Sequence, residues 1–244
     1  MSVLVTFSDN VAHIRLTRGR GNPIDLATAE GLLDAARRCG PDVRAVLLTA
    51  AGPSFCVGGD LREFAAAADL QSHLTRVTDA LHDALRIFAG LDAPVVAAVQ
   101  GAVAGAGLGL VGAADLVVAA EDTTFVAAYT AIGYTPDAGV TWSLPRLAGP
   151  RLALDLLLTN RRLTAAEALA AGLVTSVVPD AEPAAAALAA RLTGVASGVT
   201  KRLVRQGLSA SFDRQLDDEA RAIAEAAVSP SGRDGVAAFV GKRM

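Results

Sequence analysis

Any fold of this chain must bury residues 93–114, APVVAAVQGAVAGAGLGLVGAA, because they contain no charged side chain. Their length would suffice for a transmembrane helix. However, Pro94, Gln100 and frequent glycines interrupt the stretch, and PVVAAV is rich in valine, which favours strands. The stretch therefore predicts a buried strand at 94–99, a glycine turn and a buried helix at 105–113, and it predicts no membrane span.

Other apolar runs alternate with helical patterns through the first part of the chain. Strands that alternate with helices favour crossover connections and a sheet that helices cover. The other elements predicted in this part are a β-hairpin at 3–7 and 11–16, helices at 26–39 and 70–91, and buried strands at 43–50 and 114–120.

The pattern changes after Trp142, where Ala-rich helical segments dominate and one short strand, VTSVV at 174–178, interrupts them. This predicts an α/β fold with a core at 1–190 and a C-terminal helical region at 191–244. The helices predicted in the second half span 150–159, 164–171, 183–196, 198–209 and 211–228.

The composition excludes several classes of protein. Apolar residues make up 52% of the 244 residues and the net charge is −3, so the chain can bury a large core and lacks a basic stripe for nucleic acid. Cys39, Cys56 and the histidines lack metal-ligand spacing, and two thiols are no disulfide framework. The N-terminal sequence does not resemble a signal peptide. We therefore expect a cytoplasmic protein with no metal, no nucleic-acid partner and no membrane association.

Two glycine-rich segments each follow a predicted buried strand. The first is FCVGGDL at 55–61, and the second is QGAVAGAGLG at 100–109, which opens a helix. Glycine leaves backbone N–H groups accessible, and a helix N-terminus favours negative charge. Two such amides that converge on one point form an oxyanion hole. Tight helix–sheet packing is the alternative for each segment alone, whereas the spacings of a dinucleotide turn and of a phosphate loop are absent.

The glycine segments belong to a series of ordered motifs that runs along nearly the whole chain. The series is NPID (22–25), SFCVGGDLREF (54–64), APVVAAVQGAVAGAGLGL (93–110), ADLVVAAEDTTF (114–125), IGYTPDAGVTWSLPRLAG (132–149), LTAAEALAAGLV (163–174) and GRDGVAAFVGKR (232–243). This series resembles the crotonase (enoyl-CoA hydratase/isomerase) superfamily. The resemblance implies a spiral of ββα units and a helical C-terminal trimerisation region, in a homo-oligomer that is a trimer or a dimer of trimers. It also implies an acyl-CoA thioester substrate and no separate cofactor, because coenzyme A is part of that substrate.

The same resemblance assigns roles to individual residues. The two oxyanion amides fall on Gly59 and Ala106, where they would polarise the thioester carbonyl and stabilise an enolate. Lys242, in the tail, would reach the CoA phosphates of a neighbouring subunit. The other substrate contacts expected are Gly58, Asp60, Leu61, Gly105, Tyr129 and Trp142.

The hydratase pattern of the superfamily needs two glutamates, and their positions are occupied here by Gly109 and Tyr129. Asp137 remains, in Pro-Asp-Ala-Gly-Val-Thr-Trp. That motif is similar to the Pro-Asp-x-Gly-Gly-Thr-Trp of the acyl-CoA isomerases of phenylacetate catabolism, although Val140 replaces the second glycine. One carboxylate suits a 1,3-proton shift, because it can remove a proton at one carbon and return it at another. We therefore predict an enoyl-CoA isomerase with Asp137 as both acid and base.

Four alternatives stay open on the sequence. Enoyl-CoA hydratase is the first. The chain is also similar to 4-chlorobenzoyl-CoA dehalogenases, in which an Asp at the position of Asp137 attacks the ring, with an aromatic near Tyr129 and a histidine near His82. His82 could equally be an exposed helix residue. The third alternative is an acyl-CoA binding protein without catalysis, and the fourth is Asp137 as a solvated turn residue.

Overall fold

The computed structural model of the chain describes residues 2–192 and 194–241. Its strands are short and fall into two sheets. In chain order they are β1 (Val3–Ser8), β2 (Val11–Leu16), β3 (Ala45–Ala50), β4 (Val95–Val99), β5 (Ala102–Ala104), β6 (Leu116–Ala120), β7 (Thr124–Val126), β8 (Leu163–Thr164) and β9 (Ser176–Val178).

The larger sheet has the strand order β1-β2-β3-β4-β6-β9, and the smaller has the order β5-β7-β8. Only the β1–β2 hairpin of the larger sheet is antiparallel, and its other neighbours pair in parallel. Parallel neighbours need crossover connections, which helices usually supply. In chain order the helices are α1 (Leu26–Arg37), α2 (Leu61–Ala66), α3 (Leu70–Gly90), α4 (Ala106–Ala113), α5 (Val140–Ala148), α6 (Pro150–Thr159), α7 (Ala165–Ala170), α8 (Ala181–Arg191), α9 (Val195–Gly207), α10 (Phe212–Val228) and α11 (Pro230–Gly241).

The chain winds as a spiral that alternates between the two sheets. β4 of the larger sheet leads into β5 of the smaller, and β6 leads into β7. After β3, Cys56 forms a parallel bridge with Val103 of β5, so the first glycine segment extends the smaller sheet in the same way. Because helices follow these strand pairs, the fold is the predicted spiral of ββα units.

The central strands are buried on both faces, which explains their unbroken apolar sequences. Val46 and Leu48 of β3 belong to the main core, together with residues of α1 and α3. Ala45 and Leu47 point to the opposite face and pack in a second cluster with the alanines of α8. A strand buried on both faces reads as continuously apolar rather than alternating.

Most of the predicted elements are confirmed to within a few residues at each end. The helix predicted at 183–196 is wrong: α8 ends at Arg191, and α9 begins at Val195 after Gly194. The prediction omitted α2, α5, α11 and the short strands β5, β7 and β8. The division of the chain between residues 190 and 191 stays a prediction.

The apolar stretch at 93–114 forms β4, β5 and α4 instead of one long helix. In the part of the chain that the structure describes, no helix is long and apolar enough to cross a membrane.

Candidate active site

The first glycine segment, residues 55–61, is fixed by backbone hydrogen bonds to Ile24. Ile24 donates its N–H to the Gly58 carbonyl at 2.8 Å, and Asp60 donates its N–H to the Ile24 carbonyl at 3.0 Å. This is the pattern of a parallel bridge between Ile24 and Gly59. The middle residue of such a bridge directs its own N–H away from the partner. The Gly59 N–H therefore points away from Ile24, and no described residue accepts a hydrogen bond from it.

The second glycine segment, residues 100–109, brings another free amide to the first. Ala106 is the first residue of α4, where an N–H group has no acceptor inside the helix. Gly58 and Gly105 have φ of 94° and 51°, and a Cβ on Gly105 would lie 3.3 Å from the Gly58 Cα. Glycine is the residue that tolerates both these dihedrals and this close approach. Gly58 and Gly105 contact each other, and each is followed by one of the two amides. The N–H groups of Gly59 and Ala106 are therefore close enough in the fold to donate to one oxygen atom.

A cavity of about 810 Å³ opens beside these amides. Its walls come from α2, from α3 and from residues 127–137, and Gly58, Gly59, Gly105 and Ala106 all line it. The contribution of α2 and α3 is mainly apolar. Asp137 is the only carboxylate among the described residues that line the cavity. The apolar residues from α2 and α3 are Leu61, Phe64, Leu70, Leu74, Val77 and Leu81.

Asp137 reaches the cavity from a tight turn that precedes α5. The Asp137 carbonyl accepts the N–H of Val140 at 3.1 Å. The next residue, Ala138, is buried and has φ of 50°, a left-handed conformation that is uncommon outside glycine. The Ala138 N–H donates to Nε2 of His82 in α3 at 3.1 Å. A hydrogen bond therefore joins this turn to α3, which forms part of the cavity wall.

Tyr129 also lines the cavity, and its side chain is buried. Burial raises the pKa of Tyr129, and the neighbouring charge of Asp137 raises it further. The hydroxyl lies close to Asp137 but outside hydrogen-bond geometry, and it has no partner among the described residues. The phenol therefore stays protonated near neutral pH and can donate a hydrogen bond to a bound molecule.

Gly109 of α4 packs closely against the turn that carries Asp137. A Cβ on Gly109 would overlap the Ala138 Cβ and lie 2.6 Å from the Ala138 carbonyl oxygen. Real Cβ atoms do not approach other atoms so closely. A side chain at 109 would therefore require the turn that carries Asp137 to shift.

An ion-pair cluster whose members do not line the cavity supports the first glycine segment. Asp60 caps α2 by accepting the N–H groups of Arg62 and Glu63, and it pairs with Arg18 at 2.8 Å. Arg18 also pairs with Asp25, which caps α1. Burial would raise the pKa of Asp60, but the bonds from Arg18 and from the two amides outweigh it, so the pKa lies below its usual range.

The structure brings most of the predicted site residues together. Asp60 and Trp142 are not among the described residues that line the cavity. The Asp60 side chain is directed to Arg18, while Trp142 is 52% exposed and its ring lies 4.2 Å beneath the Arg146 guanidinium. Lys242 lies outside the described residues. The predicted residues that do line the cavity are Gly58, Gly59, Leu61, Gly105, Ala106, Tyr129 and Asp137.

Two contributions were not predicted residue by residue. One is the wall formed by α3, whose lining residues recur at the three- and four-residue spacing of a helix face, a signal that the sequence does contain. The other is the backbone of Ile24, which holds Gly59. Among the described residues, no group of three or more His, Cys, Asp or Glu side chains could hold a metal ion.

Comparison with known proteins places this geometry in context. Residues 6–244 match the family model described as enoyl-CoA hydratase/isomerase. The chain is 38% identical to the probable enoyl-CoA hydratase of Rhodobacter capsulatus, over 97% of this chain and 93% of that protein. It is 37% identical to the 1,2-epoxyphenylacetyl-CoA isomerase of Escherichia coli, over 82% of this chain and 79% of that protein. Among solved structures, the enoyl-CoA hydratase of Bacillus anthracis superposes with a TM-score of 0.91 at 30% identity, over 99% of this chain and 97% of that chain.

Proposed function

The chain belongs to the enoyl-CoA hydratase/isomerase family of acyl-CoA enzymes, and we propose that its own reaction is isomerisation of a carbon–carbon double bond in an acyl-CoA thioester. The observation that carries this proposal is the single carboxylate of the cavity. Asp137 faces the same space as the Gly59 and Ala106 amides, and no other Asp or Glu lines that space among the described residues. The names of the relatives do not decide between hydration and isomerisation, since both activities occur among them.

The proposed reaction begins with proton removal by the Asp137 carboxylate. The C–H bond of the acyl chain breaks, the proton moves to Asp137, and the electron pair passes through the conjugated carbons to the thioester oxygen. The protonated Asp137 then returns the proton to a different carbon of the dienolate, and the double bond moves. Acid and base are the same group at different times, so no second carboxylate and no metal or redox cofactor is needed.

The oxyanion pair provides most of the stabilisation in this scheme. Negative charge develops on the thioester oxygen, and the N–H groups of Gly59 and Ala106 are the proposed donors to it. Ala106 adds the N-terminal end of the α4 dipole. Tyr129 would donate to the acyl group from the side of Asp137 and hold it for the proton transfer. Gly58, Leu61 and Gly105 would contact the coenzyme A end of the substrate. Asp60, Trp142 and Lys242 would be outer substrate contacts.

We also propose that the enzyme is a homo-oligomer. Phe212 and Ile223 of α10 are 76% and 71% exposed. With Leu216 they lie along one side of the helix, because their spacings of four and seven residues fit its period. Exposed apolar stripes of this kind mark surfaces that bind a partner. A trimer or a dimer of trimers is the expected form.

Hydration is the alternative reaction, and the geometry around Gly109 favours isomerisation over it. Addition of water requires one group to activate the water while another protonates the neighbouring carbon. A Cβ at 109 would already overlap the turn that delivers Asp137. Hydration would therefore need Asp137 to perform both tasks with water between it and the substrate.

The test compares wild type with Asp137→Asn on 2-enoyl-, 3-enoyl- and 4-chlorobenzoyl-CoA in deuterated water, followed by mass spectrometry. We expect double-bond migration and deuterium uptake with enoyl-CoA in the wild type, and a loss of about 10³-fold or more in Asp137→Asn. Asp79→Asn, on the exposed side of α3, is the matched control and keeps full activity.

Other products would replace the proposal with a defined alternative. Addition of one water that persists in Asp137→Asn would indicate a hydratase with a different base. Release of chloride would indicate nucleophilic attack on the ring. Tight binding of every thioester, with no deuterium uptake from any of them, would indicate an acyl-CoA binding protein.

A further inference from the structure

The turn that carries Asp137 holds an unusual backbone conformation that needs support from outside the turn. Ala138 adopts φ of 50° although it is not glycine. Left-handed conformations of this kind persist where the surroundings fix them, and they cluster at functional sites. Ala138 also directs its N–H out of the turn, toward α3. The conformation of Ala138 determines where the preceding side chain, Asp137, is placed.

His82 provides this support. Its Nε2 lies 3.1 Å from the Ala138 nitrogen, although the two residues are 56 positions apart in the chain. His82 follows Leu81, which lines the cavity, but His82 itself is not among the described lining residues. The imidazole therefore contacts the turn that carries Asp137 from outside the cavity. On the other side, the Ala138 Cβ and carbonyl occupy the space over Gly109 of α4.

We propose that His82 is a positioning residue that fixes Asp137 for proton transfer by accepting the hydrogen bond of the Ala138 N–H. This inference rests on the proposed role of Asp137 as the acid and base. A backbone N–H is only a donor, so Nε2 must be unprotonated and the neutral ring carries its proton on Nδ1. Nε2 is then occupied and is not free to act as a base on substrate or water. The imidazole acts on the reaction only through the position of Asp137.

The kinetic test uses His82→Leu and His82→Gln. His82→Leu removes the acceptor, and because the cavity wall is unchanged we expect kcat to fall about 10- to 100-fold with KM nearly unchanged. The side-chain oxygen of Gln reaches about as far as Nε2, so His82→Gln recovers most of kcat. Arg86→Leu, one turn further along α3 and 72% exposed, is the control for a leucine on this helix and keeps full activity.

A double-mutant cycle shows whether His82 acts through Asp137. If it does, His82→Leu/Asp137→Asn is no slower than Asp137→Asn alone, because the group to be positioned is already absent. Multiplied losses in the double variant would overturn the proposal, as would equal activity of His82→Leu and wild type.

The hydrogen bond itself is tested without any activity measurement. In ¹⁵N-labelled protein, histidine nitrogen–proton correlation spectra report which ring nitrogen carries the proton, and His82→Gln identifies the His82 signals. We expect the Nδ1-protonated form of His82 at neutral pH, and the Nε2-protonated form would overturn the contact even if His82→Leu fails to fold. If Asp137→Asn keeps full activity while the Nδ1-protonated form is present, the proposed function fails and the contact stands.

Discussion

At the scale of single residues, Gly109 determines how closely α4 packs against the turn that carries Asp137. The residue faces Ala138, and a new Cβ would lie 2.4 Å from the Ala138 Cβ and 2.6 Å from the Ala138 carbonyl oxygen, neither of which belongs to a flexible side chain. A larger residue at 109 would therefore overpack this contact and push the turn, and with it Asp137, out of position. The contact between Gly109 and Ala138 thus couples the residue at 109 to the position of Asp137.

Gly109→Glu is therefore expected to destroy the isomerase without creating a hydratase. Gly109→Ala alone should lower the free energy of unfolding by about 1–3 kcal/mol, because it already introduces the overlapping atom. Urea titration gives the stability of both variants, and mass spectrometry of crotonyl-CoA products gives the activity. Gain of water addition in Gly109→Glu would show that the cavity accommodates a glutamate at 109 together with Asp137. Gly90→Ala, where a Cβ meets nothing within 4 Å, is the control for a new methyl group.

Tyr129→Phe is expected to affect the stability of the protein and its activity differently. Because its buried hydroxyl has no partner among the described residues, Tyr129→Phe should not lower the free energy of unfolding. If the phenol donates to the bound acyl group, its removal costs about 1–2 kcal/mol of binding or transition-state energy, which is about 5- to 30-fold in kcat/KM. Thermal unfolding and steady-state kinetics measure the two effects. A stable variant with unchanged kcat/KM would show that Tyr129 only packs.

At the scale of elements, Asp60 connects the first glycine segment to α2 and to the N-terminal part of the chain. Asp60→Asn keeps a good N-cap residue but removes the charge that pairs with Arg18. We expect a loss of about 1–3 kcal/mol at neutral pH. The pKa of Asp60 is lowered in the folded chain, so the contribution of its charge is complete above the unfolded value of about 3.9 and is lost as the pH falls through the lower folded value.

Urea titrations of wild type and Asp60→Asn between acid and neutral pH measure this dependence. The difference between the two proteins should be constant near neutrality and should shrink in strong acid, where Asp60 is protonated in both states. Asp69→Asn, which keeps the N-cap of α3 and forms no ion pair with a described residue, is the control. A pH-independent difference would show that the ion pair does not stabilise this segment.

Some parts of the site could be predicted from the sequence and others could not. The difference is whether the interaction joins residues that are near or far apart in the chain. The glycine segments and the turn of Asp137 could be predicted because Gly58, Gly105 and Gly139 satisfy local backbone requirements that only few residues meet. The contact of His82 with Ala138 joins positions 56 residues apart and leaves no local pattern. Trp142 was expected in the cavity wall, but it lies on the exposed side of α5, where Arg146 of the same helix covers its ring, and which side of a helix faces solvent depends on tertiary packing.

At the scale of the whole molecule, the two halves of the chain bury their apolar surface in different ways. The ββα spiral covers both faces of its central strands within one chain. In α10, by contrast, none of the residues is buried in this single chain. The side of α10 that carries Arg214, Asp218 and Arg221 faces α9, which leaves the stripe of Phe212, Leu216 and Ile223 on another side. The exposed stripe on α10 is the surface that would contact further copies in the proposed homo-oligomer.

Ile223→Lys is therefore expected to break the oligomer while leaving the spiral folded. Burial of an isoleucine side chain stabilises an interface by about 1.5–3 kcal/mol for each chain, and lysine replaces that gain with the cost of a desolvated charge. Light scattering after size-exclusion chromatography should give a trimer or hexamer for wild type and a smaller species for the variant, with the same circular dichroism. Asp217→Lys introduces the same residue away from the stripe on the same helix and should not change the mass. A monomeric wild type would contradict the proposed assembly, and an unchanged mass in Ile223→Lys would move the interface away from α10.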